Sequence, residues 1–230
     1  MKLHDYWRSS SAWRVRIALH WKGVAFDRQV VSLIAAPAAD GARGGQQHEA
    51  SFTALSPLGQ VPVLELDASE SATSPVRHLT QSLAIVEYLE ERYPQPPLLP
   101  RDRLLRAHAR QLALMMVSGI QPLHNLSTIE HVKNQLGGDA AAWTRHFLAR
   151  GLSALEAAAA GPASGAFLVG DSVTFADVCL IPQLYVARRF SVELGAYPTL
   201  LRAEAACALL PAFVAAHADR QSDRPSTAGP

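Results

Sequence analysis

Three consecutive serines, Ser9, Ser10 and Ser11, lie in the stretch DYWRSSSAW, between Arg8 and the apolar run VRIALHW. Serine is a strong helix N-cap and a helical pattern follows at once, so the plain reading is a folding device. The same geometry can also do chemistry. A strand-to-helix turn presents hydroxyls and backbone N–H groups at the positive end of a helix, where an anion is stabilised. That anion can be the thiolate of a ligand. A serine-hydrolase reading is weaker, because no GxSxG elbow is present.

Three further stretches carry residues of the right type. In LGQVPVLEL the Val61–Pro62 bond, between a loop and a strand, can be cis; taken alone it is a turn. In TQSLAIVEYLEE either Thr80 or Ser82 can cap a helix, and the polar pair Gln81–Ser82 can also hold a carboxylate at free N–H groups. In GIQPLHNLSTI, His124 stands with Asn125 and Ser127. No second histidine or carboxylate accompanies it at metal-ligand spacing, so it reads as a structural histidine and no metal is expected. Arg8, Arg14, Arg16, Arg188 and Arg189 each read first as solvated or salt-bridged. A guanidinium nevertheless suits fork-like recognition of carboxylates.

The elements that must position these residues divide the chain. Strand patterns cover Met1–Trp7, Val24–Leu33, VPVLEL (61–66) and VRHL (76–79); helical patterns cover Ala12–Lys22 and Gln81–Arg92. A βαβ unit followed by ββα makes a small α/β domain over residues 1–92. The proline-rich stretch YPQPPLLP then acts as a linker. Beyond it only helices are expected, over 102–118, 122–135, 139–160, 174–189 and 198–216, which gives an all-α domain at 101–217. The tail 218–230, ADRQSDRPSTAGP, reads as disordered. One helix start is legible in detail. Thr174 is an N-cap with Asp177 three residues on, and Val173 and Val178 are spaced as a hydrophobic staple, a folding device and not a site.

Composition bounds the possibilities. The 230 residues are 49% apolar and 18% charged with a net charge of +1, a globular balance that gives no electrostatic argument for nucleic acid or an anionic membrane. Any anionic ligand must be held locally. Cys179 and Cys207 match no metal or redox spacing and sit in apolar helical segments, so both are expected as buried thiols. The start, MKLHDYWRSS, has no apolar signal core, and no run approaches a membrane span. A reduced, cytoplasmic setting is expected.

Taken together and in order, the motifs resemble the zeta class of glutathione S-transferases, the maleylacetoacetate isomerases, and their relatives the maleylpyruvate isomerases. SSSAWRVRIAL (9–19) is similar to that family's SSCSxRVRIAL; GGQQ (44–47), ALSPLGQVPVL (54–64), QSLAIVEYLEERYP (81–94), IQPLHNLS (120–127), GDSVTFADVCLIPQ (170–183) and RRFSVELGAYP (188–198) continue the likeness. It implies the glutathione S-transferase fold: an α/β thioredoxin-like domain, an all-α C-terminal domain and a homodimer. It implies glutathione as a recycled cofactor whose thiolate adds to a maleyl double bond, permits rotation and leaves. Ser9, Ser10 and Ser11 would then surround the thiol. Gln47, Val61, Pro62 as a cis-proline, Gln81, Ser82, Gln121, Asn125, Leu126 and Ser127 would hold the tripeptide. Arg8 and Arg189 would bind the carboxylates of a small maleyl substrate, with Arg188 the lesser candidate.

Two departures from the family pattern stand out. Ser11 and Ala12 replace the family's cysteine and its following serine, and the loop DASESATSP (67–75) is longer than the family's hairpin turn. If the upstream serines activate the thiol, isomerase chemistry survives the first change. The second reads as a passive surface loop. The alternative enzyme reading is a transferase or dehalogenase acting on small α-halo acids. A non-catalytic glutathione-binding protein has only the missing cysteine in its favour.

Overall fold

A computed structural model describes residues 1–34, 45–72 and 74–226, so Gly44 of the GGQQ motif and Thr73 of the long loop lie outside the described residues. The chain divides into two units, one of residues 1–95 with 212–230 and one of residues 96–211. The division after Gln95 falls inside the proline-rich linker.

In the first unit, strand β1 (Lys2–Asp5) leads into helix α1 (Ser10–Trp21) and then strand β2 (Asp27–Val30). A short helix α2 (Ala50–Thr53), strand β3 (Val63–Glu65), short helix α3 (Ala68–Ser71), strand β4 (His78–Thr80) and helix α4 (Ser82–Arg92) follow. The sheet order is β2-β1-β3-β4. β1 pairs parallel with β2 in the register Lys2–Asp27, and antiparallel with β3 in the register Lys2–Glu65; β3 pairs antiparallel with β4, Val63 opposite Thr80. The βαβ and ββα reading therefore holds, with strands shorter than their apolar runs.

Helix α1 carries almost no polar face. Every residue from Ala12 to Leu19 is buried, including Arg14 and Arg16. It packs along α4, and each end of the contact is closed by a buried polar bond. Arg14 Nη1 donates to Ser82 Oγ at 2.9 Å, and Lys22 Nζ reaches Glu90 Oε2 at 2.5 Å. Burying charged groups is tolerable only with partners of this kind.

The second unit is helical among its described residues: α5 (Arg103–Leu114), α6 (Leu126–Asn134), α7 (Ala140–Ala159), α8 (Phe175–Arg189) and α9 (Pro198–Cys207). The helix expected over 102–118 stops early. α5 runs into a wider π turn, Met115–Ile120, and then a 3-10 turn, Gln121–His124, with a proline in its first turn. The single helix expected over 198–216 is two, α9 and α10 (Pro211–Ala216), because Pro211 cannot continue the ladder of α9. The α8 start is as read: the Asp177 carboxylate accepts the Thr174 N–H and hydroxyl, both at 2.8 Å, and Leu168 N–H at 2.9 Å. Val173 and Val178 are both buried beside it. Burial pushes the Asp177 carboxyl up to about 6, against those three hydrogen bonds.

The C-terminal boundary differs from the sequence expectation of a domain to 217 and a disordered tail from 218. From Ala212 the chain belongs to the first unit. Residues Ala218–Arg220 form a 3-10 turn, and Asp223 accepts hydrogen bonds from Arg28 Nη2 and Trp7 N–H, each 2.9 Å. The long loop is also less passive than expected. It contains α3, whose Glu70 accepts from Tyr88 Oη at 2.8 Å and Arg92 Nε at 2.6 Å and so ties the loop to α4.

Candidate functional site

Ser9 is the N-cap of α1. Its backbone is extended (φ −65°, ψ 116°), its hydroxyl accepts from Ala12 N–H at 3.3 Å, and its carbonyl accepts the first helical bond from Trp13 N–H at 2.8 Å. That cap bond is long, and it uses only a lone pair of the hydroxyl, whose own proton stays available to donate. Ser10 is the first helical residue and is buried; Ser11 follows half-buried. The first turn of α1 contains no acidic side chain. The positive end of this helix is therefore not neutralised by its own sequence.

The second part of the site is the turn before β3. The Val61–Pro62 bond is cis. Val61 belongs to one buried cluster with Ala12, Val31, Phe52 and Val63, so the cis turn and the first turn of α1 share a core. Among the described residues, no hydrogen bond reaches the Val61 backbone. Gly59 has φ +62° and lies against the Gln47 carbonyl, where an added Cβ would stand 3.0 Å from that oxygen. Gln47 itself is buried. Its Nε2 donates to Leu33 C=O at 3.0 Å, while its Oε1 has no partner among the described residues. A buried acceptor left open is costly unless something else satisfies it.

The third part is the start of α4. The expected caps Thr80 and Ser82 do not serve. Gln81 is the N-cap residue, with φ +65° and no side-chain cap bond, and Ser82 is the first helical residue. A positive φ at a non-glycine residue is strained by about 1–3 kcal/mol and is typically retained at sites. The Ser82 hydroxyl accepts from Arg14 and is buried, which orients its proton outward from that bond. Arg14 is thus a buried bracket between α1 and α4. Of the sequence expectation that it is solvated or salt-bridged, solvation does not hold, because Arg14 is buried. Arg16 is salt-bridged as expected, with Nη1 at 2.7 Å from Asp5 Oδ1. Burial lowers its pKa, and Asp5 opposes the fall.

Within the second unit, Gln121 is buried in the 3-10 turn, Asn125 is the N-cap residue of α6 without a side-chain cap bond, and Leu126 and Ser127 are exposed in the first turn. His124 is a buried structural histidine, its Nε2 3.2 Å from Gln183 Nε2. Arg189 is exposed at the end of α8, 5.6 Å over the Phe190 ring, whereas Arg188 is taken up by Glu204 in two 2.5 Å contacts. Arg8 in the first unit lies 5.1 Å over the Trp7 ring and makes no ion pair among the described residues. Among the described residues, no group of three His, Cys, Asp or Glu is placed to hold a metal ion, and no helix is long and apolar enough to cross a membrane.

Comparison with known proteins decides what this arrangement belongs to. The glutathione S-transferase N-terminal domain matches residues 8–92 and the C-terminal domain matches residues 144–208. The maleylacetoacetate isomerase of Pseudomonas aeruginosa is 42% identical over 229 residues, covering 98% of this chain and 100% of its own length. This chain belongs to the maleylacetoacetate isomerase family of zeta-class glutathione S-transferases. In structure it is similar to the maleylacetoacetate isomerase of Anaeromyxobacter dehalogenans 2CP-1, solved with dicarboxyethyl glutathione and citrate in its active site. The two have a TM-score of 0.82 and 43% identity over 97% of each chain. It is also similar to a bacterial zeta-class maleyl pyruvate isomerase in its holo form, with a TM-score of 0.86 and 36% identity over 98% of this chain and 100% of that one. The family's thioredoxin-like α/β unit and helical unit are both present.

Proposed function

We propose that the protein is a glutathione-dependent cis–trans isomerase of a small maleyl dicarboxylate, maleylacetoacetate or maleylpyruvate. One observation carries the reading: an α1 start capped by Ser9, with no acid in its first turn, shares a core cluster with the cis Val61–Pro62 turn. Bound glutathione supplies the thiolate chemistry that converts the cis double bond to trans, and it is regenerated.

The residues of the first unit fit that group. Ser9 donates its hydroxyl proton to an anion at the helix start, and the α1 dipole favours the charged form of a thiol held there. Ser10 and Ser11 complete the same turn. Val61 offers an unbonded backbone N–H and C=O, the pair a peptide ligand needs. Gln47 Oε1 is the open acceptor that a ligand N–H satisfies. Gln81 and the Arg14-oriented Ser82 hydroxyl receive a carboxylate at the α4 start.

Arg8 and Arg189 are assigned to substrate carboxylates, and Gln121, Asn125, Leu126 and Ser127 to glutathione, on the match to the family's motifs. Likeness to isomerases named for both maleyl substrates supports the substrate class, as does the A. dehalogenans isomerase, which holds glutathione joined to a dicarboxylate. A homodimer in a reducing cytoplasm completes the proposal; the latter accords with two buried free cysteines.

The test is direct. Purified protein with catalytic glutathione is expected to consume the absorbance of the maleyl substrate and return the glutathione unchanged. No change, where a known isomerase consumes the same sample, would falsify the reading. Faster halide release from α-halo acids than isomerisation assigns the transferase alternative instead.

A further inference from the structure

We propose that the C-terminal segment is a positioning element for the Tyr6–Ser9 turn, acting through Asp223. The proposal rests on the reading that this turn carries the thiolate site.

The turn has little structure of its own. Its inner bond runs from Ser9 N–H to Tyr6 C=O at 2.9 Å. Three further bonds tie its backbone to charged side chains. Trp7 N–H donates to Asp223 Oδ2 at 2.9 Å, Trp7 C=O accepts from Arg16 Nη2 at 2.8 Å, and Tyr6 C=O accepts from Arg16 Nη1 at 3.4 Å. Those ions form one network. Arg16 Nη1 also reaches both oxygens of Asp5, at 2.7 and 2.9 Å. Arg28 donates to Asp5 Oδ2 at 2.7 Å and to Asp223 Oδ1 at 2.9 Å.

Two carboxylates thus balance two guanidiniums in a place with almost no solvent. The Asp5 and Arg16 side chains are 0% exposed, Asp223 10% and Arg28 18%. Without Asp223, one positive charge is left unbalanced and the Trp7 N–H loses its acceptor.

The segment is tied to the same helix at other points. Arg16 Nε donates to Ala216 C=O at 3.1 Å, the His217 ring meets Trp13 edge-on at 4.9 Å, and Phe213 meets Trp21 at 6.5 Å. Arg8 and Ser9 hang from the backbone that this network fixes. Asp223 touches no reacting atom, so it is a positioning residue: it sets where the Ser9 hydroxyl and the α1 start point. Misplacement of a reacting group by a fraction of an ångström is enough to slow chemistry.

The experiment compares full-length wild type with Asp223→Asn and Asp223→Ala. Asparagine keeps the size but sets an NH2 group against either the Trp7 N–H or the Arg28 guanidinium. Three readouts are taken: amide hydrogen exchange across residues 7–12 without ligand, the pH titration of the thiol of bound glutathione by its thiolate absorbance, and kcat against KM. The expected result for Asp223→Asn is faster exchange across the turn, a bound thiol that titrates at higher pH, and kcat lowered about tenfold, with KM changed less. An unchanged thiol titration with unchanged kcat overturns the proposal even if exchange quickens at Trp7 or the unfolding temperature falls, since a merely structural bond predicts that pattern. If Asp223→Ala does not fold, Asp223→Asn still decides by the same readouts. Wild type that shows no bound thiolate overturns the functional reading and with it the catalytic half of this one; exchange then judges the positioning half separately.

Discussion

Helices α1 and α8 begin in the same way on paper, with a hydroxyl residue before an apolar run, and they end up as opposites. At α8 the cap is closed. Asp177 in the first turn takes the Thr174 N–H, the Thr174 hydroxyl and the Leu168 N–H, and all of it is buried. At α1 the cap is open. Ser9 Oγ accepts one bond of 3.3 Å from Ala12 N–H, the first turn contains no acid, and Ser9 is half-buried. A helix start that carries its own carboxylate has spent its positive end on folding. One that lacks it leaves that end unneutralised.

The sharpest way to break the comparison is Ser9→Ala. Removing a preorganised donor to a developing or resting anion is expected to lower kcat/KM by about 10²–10³-fold, while loss of the weak cap costs about 1 kcal/mol or less of stability. Steady-state kinetics and a urea titration separate the two. A variant that loses mainly stability makes Ser9 an ordinary cap.

The mirror experiment is Asp177→Ala. Three donors lose a buried acceptor, and the expected cost is about 3 kcal/mol of unfolding free energy with unchanged turnover per folded molecule. Its pH dependence has a definite sign. The carboxyl is raised from 3.8 to about 6 by burial, so its contribution to stability is full below its ordinary range and falls as pH rises through about 6. Measured as wild type minus Asp177→Asn, stability should therefore decline across that window. A difference that grows with pH contradicts burial as the dominant cause.

The smallest expected effect is at Ser11, where the family keeps a cysteine. It is neither the N-cap nor the first helical residue, and Ser11→Ala should stay within about twofold in kcat/KM and about 0.5 kcal/mol in stability. Equal losses at Ser9 and Ser11 would erase the distinction between cap and helix body.

How much of this was legible in sequence depends on range. Short-range signals read well: the Thr174–Asp177 box and the serine start of α1 both depend on residues within a few positions of one another. Pro211 was a local signal too, and overlooking it joined α9 and α10. The α4 start misled for a different reason: Gln81 adopts a positive φ that no propensity favours, and the surrounding structure holds it there. The burial of Arg14 was missed because its partner, Ser82, lies in another element. Asp223 was invisible, since SDRP in a polar tail has the composition of disorder and its partners are Trp7 and Arg28.

The sequence by itself determined the order of elements, the βαβ and ββα halves of the sheet, the helical second unit and the family motifs, because each rests on periodicity or on residues adjacent along the chain. Tertiary structure alone decided which hydroxyl caps α1, that Val61 and Ala12 share a core, that Gln47 keeps an open acceptor, and that the C-terminal segment returns to brace the Tyr6–Ser9 turn. Those are pairings between distant residues, and a buried charge or amide takes its meaning only from the partner that folding brings within hydrogen-bond reach.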